Sequence, residues 1–435
     1  MLNGTFILSR VFITSIPKKF TIDNESLTKC LAIWVKRNIL LQSTIYRTNK
    51  LDIKSPKYFV YTEKSFEEYN NVELLETENN LKWVDIIETE LKTNFDNING
   101  PLWRMKIVKL LKTTHNDDNN EYYFVFSSHH SIADGRNCYE LMVQFLNILG
   151  AILEGTSCDE MNGQIQETKH SMNELVENFQ SISECIVKVK EDSKIIHRIP
   201  NFVGDKENGV YGKFDFIFVE KPILDKLLKQ IKLRAPKAKL TSFLATLLSL
   251  AYKKTCIQFN VNDISLDTFM PCILLSLREK FNLNNLQMGV YSTALNVEIN
   301  GNLNEDTIWK ISENVSLCLH DKIKNNVDIS NFQYLDDFIN LVNSDFDFGN
   351  NQETNFDFSN IGIMKNTSTS AIYIKQHYIA MPNLENRFVA PMFHGLVTID
   401  SNLCWGISYN EKIFSNNFIN YLKQSILLLI DNFVL

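Results

Sequence analysis

The sequence predicts a mixed α/β protein built as two similar-sized domains, and three observations predict it. Strand-like and helix-like apolar patterns interleave along the chain. Its 435 residues exceed one ordinary domain and suit two or three. A polar, weakly patterned stretch at 155–173 precedes a helix-like segment at 174–190, with a half large enough to bury its own core on either side. The boundary is expected between about 175 and 205, leaving domains 1–190 and 205–435.

Taken in order, the apolar run at 4–13 is broken by Ser9-Arg10, which is a strand pattern and not a signal peptide. Alternation marks further strands at 58–61, 102–110, 122–127, 213–219, 291–299, 371–379, 395–399 and 403–409. Helical spacing marks 23–37, 81–93, 136–154, 221–233, 241–255, 305–322 and 416–433. Glycine (15) and proline (9) are too sparse for long linkers, and no 20–50-residue period points to a solenoid or propeller. A second unpatterned run, 344–355, falls late in the chain.

Composition narrows the function. Hydrophobic residues at 44% and charged residues at 22% describe a soluble globular chain. The balance of 44 Lys+Arg against 51 Asp+Glu, net −7, argues against nucleic acid. The most apolar stretches, 240–252 and 425–430, fall short of the roughly 18–20 residues that span a membrane. Eight scattered cysteines without a Cys-x-x-Cys pair point to reduced thiols in a cytoplasmic protein, with no disulfide framework and no metal site. His377 and His394 have no metal-ligand spacing, and His394 reads as a packed strand residue. Serine-hydrolase, zincin and P-loop signatures are missing, and Asp347-Phe348-Gly349 stands without other kinase elements.

One stretch carries chemistry. Aromatic and β-branched residues 122–127 form a buried strand, and Cys138, Leu141, Met142, Phe145, Leu149 and Ile152 repeat at helical spacing. His129, His130 and Asp134 therefore occupy a strand-to-helix turn, where side chains emerge from a rigid scaffold. A neutral histidine there can take a proton near neutral pH. Asp134 suits the helix N-cap.

His129-His130-Ser131-Ile132-Ala133-Asp134-Gly135 resembles the HHxxxDG motif of the chloramphenicol-acetyltransferase-like superfamily, which holds alcohol O-acetyltransferases, condensation domains and wax-ester synthases. The likeness extends, in order, through residues 27–46, Gly100-Pro101-Leu102-Trp103-Arg104, 240–245, Leu277-Arg278 with Met288-Gly289, and Ser359-Asn360-Ile361-Gly362. Two departures stand out: Asn38-Ile39 replaces a His-Pro, and no DFGWG element precedes the C-terminal region, Cys404-Trp405-Gly406 being a poor substitute. The missing DFGWG turns the likeness towards the alcohol acetyltransferase and condensation branches.

The resemblance implies two acetyltransferase-like subdomains, each a mixed sheet with flanking helices, and a tunnel between them reaching His130. It makes His130 the catalytic base, His129 its supporting neighbour and Asp134 a structural residue. Arg278 is the implied ion-pair partner of Asp134, a surface salt bridge being the competing reading. Gly135 is the implied backbone aid to an oxyanion, and Ser359 and Asn360 are substrate contacts or simply a turn. The implied activity is transfer of an acyl group from a thioester, with acyl-CoA as co-substrate and no bound cofactor, to a hydroxyl or amine acceptor. A carrier protein in trans, a non-catalytic binding module and a lipid-directed enzyme at membrane surfaces are the alternatives. The expected state is a monomer.

Overall fold

A computed structural model describes residues 7–47, 57–61, 71–111, 118–156, 175, 211–261, 268–329, 354–382 and 390–435. Most of the helix-like segment 174–190, the expected boundary near 175–205 and the Asp347-Phe348-Gly349 run lie outside the described residues. The chain divides into two compact units. The first takes in 1–172 and two later stretches, 276–292 and 363–382, which the sequence reading had counted with the C-terminal half. The second holds 173–275, 293–362 and 383–435.

The first unit contains β1 (Ile7–Pro17), α1 (Asn24–Arg37), β2 (Ser43–Arg47), β3 (Lys57–Tyr61), β4 (Val72–Thr77), α2 (Lys82–Glu90), β5 (Trp103–Leu110), β6 (Asn119–His129) and α3 (Gly135–Leu153). The second unit contains β7 (Lys213–Val219), α4 (Lys221–Arg234), α5 (Leu240–Gln258), β8 (Thr268–Phe269), β9 (Pro271–Ser276), β10 (Ser292–Asn296), β11 (Ile299–Asn300), α6 (Ile308–Lys324) and β12 (Phe356–Met364), of which Ser276, Ser292 and the last two residues of β12 belong to the first unit. The chain then gives β13 (Tyr373–Ala380) to the first unit before β14 (Met392–Ile399), β15 (Asn402–Tyr409) and α7 (Asn416–Val434) complete the second.

The sheet of the first unit runs β13-β1-β6-β5-β4. Its centre, β6, pairs antiparallel with both β1 and β5 and is buried from Tyr122 to His129. Residue types account for the packing against it. Asp23 caps α1 and accepts from the Ser26 amide at 2.8 Å. One turn from its end, Trp34 sets its ring edge-on to Trp103 and Phe145, each 5.3 Å away. The Trp34 indole donates to the Leu141 carbonyl of α3, and the Trp103 indole to that of Leu41, both at 2.9 Å. Two buried indoles thus gain partners as well as apolar contact.

Gly150 lets α3 approach the 366–371 loop. A Cβ there would lie 2.7 Å from the Thr369 Cβ and 2.4 Å from both of its outer atoms. Helix propensity favours alanine over glycine by about 1 kcal/mol, but overpacking of this kind costs about 1–3 kcal/mol. Rotating Thr369 cannot relieve a clash with its own Cβ, so the steric effect wins. Gly150→Ala is expected to destabilise the protein by about 1–2 kcal/mol in urea denaturation; an unchanged midpoint would show that the loop yields.

The sheet of the second unit runs β10-β9-β12-β14-β15-β7. Helix α5 is buried on nearly every face from Ser242 to Tyr252, as a core helix must be. Phe243 packs on Trp309 of α6 at 5.0 Å and on Phe433 of α7 at 6.0 Å. His394 is buried in β14, accepts from the Trp405 indole at 3.0 Å, and is held neutral by burial, its pKa pushed down to about 3.

Ser359 and Asn360 lie within strand β12, where the Asn360 side chain still makes the local bond to the Gly362 amide on which the turn reading rested. Its sequence, FDFSNIGIM, hides a strand behind an acid. Asp357 faces Cys272 across a parallel pairing with β9, and burial pushes its carboxyl up to about 7. A carboxyl with so raised a pKa is largely protonated in mildly acidic solution and so tolerates a core position. The strand expected over 291–299 is also divided, into β10 and β11.

Candidate active site

The order strand, turn and helix brings the motif residues of the first unit together at the end of β6. His129 is its last residue, and α3 begins at Gly135 under an Asp134 cap. The turn between them is fixed from both ends. The Asp134 carboxylate accepts from the Asn137 amide at 2.9 Å through Oδ1. Its Oδ2 accepts from Arg278 Nε at 2.9 Å, from Arg278 Nη2 at 2.8 Å, and from the Tyr291 amide at 3.0 Å.

Arg278 is only 1% exposed, which excludes the surface salt bridge. Its remaining donors reach carbonyls of the loop that carries it: Nη1 to Asn284 at 3.0 Å and Gln287 at 2.9 Å, Nη2 to Gly289 at 3.1 Å. The guanidinium lies 4.8 Å from the Tyr291 ring centre. Every face of a costly buried cation is therefore satisfied. The same loop touches the motif directly, the Gly289 amide donating to the Ile132 carbonyl at 2.9 Å beside a parallel bridge between Ala133 and Gly289. Gly289 has φ +128°, and a Cβ on it would come within 2.9 Å of the Tyr291 ring. Only glycine serves there.

The two histidines have different surroundings. His129 is fully buried; its Nδ1 accepts from the Ser131 amide at 3.3 Å and lies 2.6 Å from the Ser131 hydroxyl. Burial, with His130 beside it, pushes its pKa down to about 4. It is a neutral, packed ring. His130 is partly exposed. Its Nδ1 is buried. Desolvation holds its pKa below the ordinary histidine value, Arg10 adds to that, and Asp134 with the carbonyls of His130 and Ala133 opposes it. The net direction leaves the ring neutral and able to accept a proton near pH 7.

Gly135 is the first residue of α3. Ser359 and Asn360 belong to the second unit, where the Asn360 side chain donates to the Thr241 hydroxyl at 3.1 Å and accepts from the Gly362 amide at 3.0 Å. Sequence reasoning did not reach the Tyr291 amide, and it noted His377, fully buried like Arg10, only for its lack of metal-ligand spacing. Arg10 had been read only as the break in an apolar run. No group of His, Cys, Asp or Glu among the described residues is arranged to hold a metal ion, and no described helix is long and apolar enough to cross a membrane.

No protein-family model matches the sequence, and no curated protein matches it. Solved structures do match in three dimensions. The first condensation domain of the calcium-dependent antibiotic synthetase superposes with a TM-score of 0.69 at 10% identity, over 99% of this chain and 92% of that one. Trichothecene 15-O-acetyltransferase from Fusarium sporotrichioides gives 0.68 at 12% identity, with the same coverage. The wax ester synthase/diacylglycerol acyltransferase from Marinobacter aquaeolei gives 0.60 at 10% identity, over 100% of this chain and 96% of that one. The chain has the mixed α/β, two-subdomain fold of the chloramphenicol-acetyltransferase-like condensation and acyltransferase proteins.

Proposed function

We propose that this protein is an acyltransferase, moving an acyl group from acyl-CoA to a hydroxyl or amine acceptor with His130 as general base. The observation that carries the reading is the pair of histidine environments. His129 is sealed and neutral, while His130, the next residue, is partly exposed on a turn anchored by the Asp134–Arg278 ion pair.

In the proposed reaction the acceptor O–H or N–H gives its proton to His130 Nε2 as the acceptor atom attacks the thioester carbonyl carbon. The tetrahedral intermediate collapses, the C–S bond breaks, and the departing thiolate takes the proton back from His130. Acyl transfer is then complete without a covalent acyl-enzyme. The Gly135 amide, at the start of α3, is assigned to the developing oxyanion. Ser359 and Asn360 are assigned to substrate contact. Likeness to condensation domains supports one second reading, in which a carrier protein presents the thioester in trans.

A thermal-shift series with free CoA and acyl-CoAs of increasing chain length tests the donor. A ligand at a hundred times its Kd adds about 2.7 kcal/mol to stability, so the expected result is a melting temperature that peaks at one chain length. A flat series would sink the CoA assignment and favour the carrier-borne donor.

A further inference from the structure

We propose that Ser131 is a positioning residue: its hydroxyl, braced against the buried ring of His129, locks the turn that presents His130. The consequence for catalysis rests on the proposed role of His130; the brace does not.

The residues from His129 to Ile132 form a β-turn, closed by the Ile132 amide donating to the His129 carbonyl at 3.1 Å. His130 and Ser131 are its two central residues. Both ends are tied to neighbouring backbone: the His129 amide donates to the Leu102 carbonyl at 2.8 Å, and the Ile132 carbonyl accepts from the Gly289 amide at 2.9 Å. Between those ties the His129 ring leans on Ser131. Its Nδ1 meets the Ser131 amide at 3.3 Å and the Ser131 hydroxyl at 2.6 Å. An amide nitrogen can only donate, so Nδ1 carries no proton, the hydroxyl donates to it as well, and the proton of the neutral ring sits on Nε2. His130 lies between the two braced residues. Its backbone cannot rotate without breaking the bond from Ser131 to His129.

The brace has a cost on the far side of the ring. His129 is fully buried, and its Nε2 finds no hydrogen-bond acceptor among the described residues. A buried N–H without an acceptor is unfavourable, and an apolar side chain would fill the site without one. Packing alone therefore does not account for an imidazole at 129, whereas an acceptor aimed at Ser131 does. A hydroxyl 2.6 Å from an imidazole also has the form of a nucleophile beside its base. The base fails here. No described residue orients the ring through Nε2, and burial pushes its pKa down to about 4, too low to hold a serine proton near pH 7. The Ser131 hydroxyl is left to hold the turn.

The experiment is NMR of the histidine rings in isotope-labelled protein without substrate, for the wild type, Ser131→Ala and Ser131→Thr, followed by acyl-transfer kinetics of the same three. In the wild type the nitrogen–proton correlations of His129 are expected to be those of the Nε2–H tautomer. The Nδ1–H pattern overturns the proposal, and this reading decides even where a variant does not fold. In Ser131→Ala the His130 ring signals move towards those of a freely rotating histidine, and in Ser131→Thr, which keeps the hydroxyl, they stay near the wild-type positions. Unchanged His130 signals in Ser131→Ala also overturn the proposal. In turnover, Ser131→Ala lowers kcat by about 10- to 100-fold, as a misplacement of roughly 1 Å can, while KM holds and Ser131→Thr restores most of kcat. A purely structural role would leave kcat of the folded protein unchanged. The expected NMR with no turnover in the wild type supports the brace and removes the acyltransferase reading.

Discussion

His130→Ala lowers acyl transfer by about 10²–10⁴-fold, the usual contribution of a positioned general base. The fold survives. His130 is the partly exposed member of the pair and ends no helix or strand, so its loss shifts stability by no more than about 1 kcal/mol. Steady-state turnover and a circular-dichroism melt, read together, check this. His129→Ala gives the opposite pattern, with unfolding at lower temperature, because it empties a fully buried site against the Phe95 ring 6.2 Å away. Full turnover in His130→Ala would remove the acyltransferase reading and leave a binding module with this fold.

The second large effect falls on Asp134. Asparagine caps helices about as well as aspartate, so Asp134→Asn can keep the bond to the Asn137 amide while deleting the charge. Arg278, 1% exposed, is then a buried cation facing no carboxylate. Breaking such a pair costs about 3–5 kcal/mol. Asp134→Ala also loses the cap and costs about 1 kcal/mol more. The double variant Asp134→Asn/Arg278→Met regains part of the loss, since it removes the stranded charge as well. Guanidinium denaturation of the three variants separates cap from ion pair. A loss under about 1 kcal/mol in Asp134→Asn would mean that water reaches Arg278.

The parts legible in the sequence are those written in local periodicity. All seven expected helices stand within a few residues of their places, because each has a broad apolar stripe to bury. The strand-turn-helix around His130 was legible for the same reason. Strands were read less well. β4, VELLET, is an edge strand with exposed acids, and β9 is six residues long. In β12 a buried aspartate broke the apolar pattern. Of the site, the motif side chains were legible and their supports only in part. Arg278 was found through a resemblance, since no spacing rule links residues 144 apart. The Tyr291 and Gly289 amides were beyond reach, because a backbone donor has no letter of its own. Arg10 escaped for a subtler reason: a lone charge in a strand reads as an interruption, and only three dimensions reveal the imidazole that receives it.

The placement of β13 has a consequence for the order of events on the ribosome. β1 borders β6 on one side and β13 on the other, so one edge of β1 waits for a strand that lies far later in the chain. Arg10 and His377, which meet across that seam, are 367 residues apart. At about 5–20 residues per second, that is roughly 20–70 s of synthesis. Throughout it, β1 offers unpaired backbone groups and a row of apolar side chains to whatever strand is near. Because the late strand also brings the imidazole that meets Arg10, that buried guanidinium gains this partner only when the edge closes.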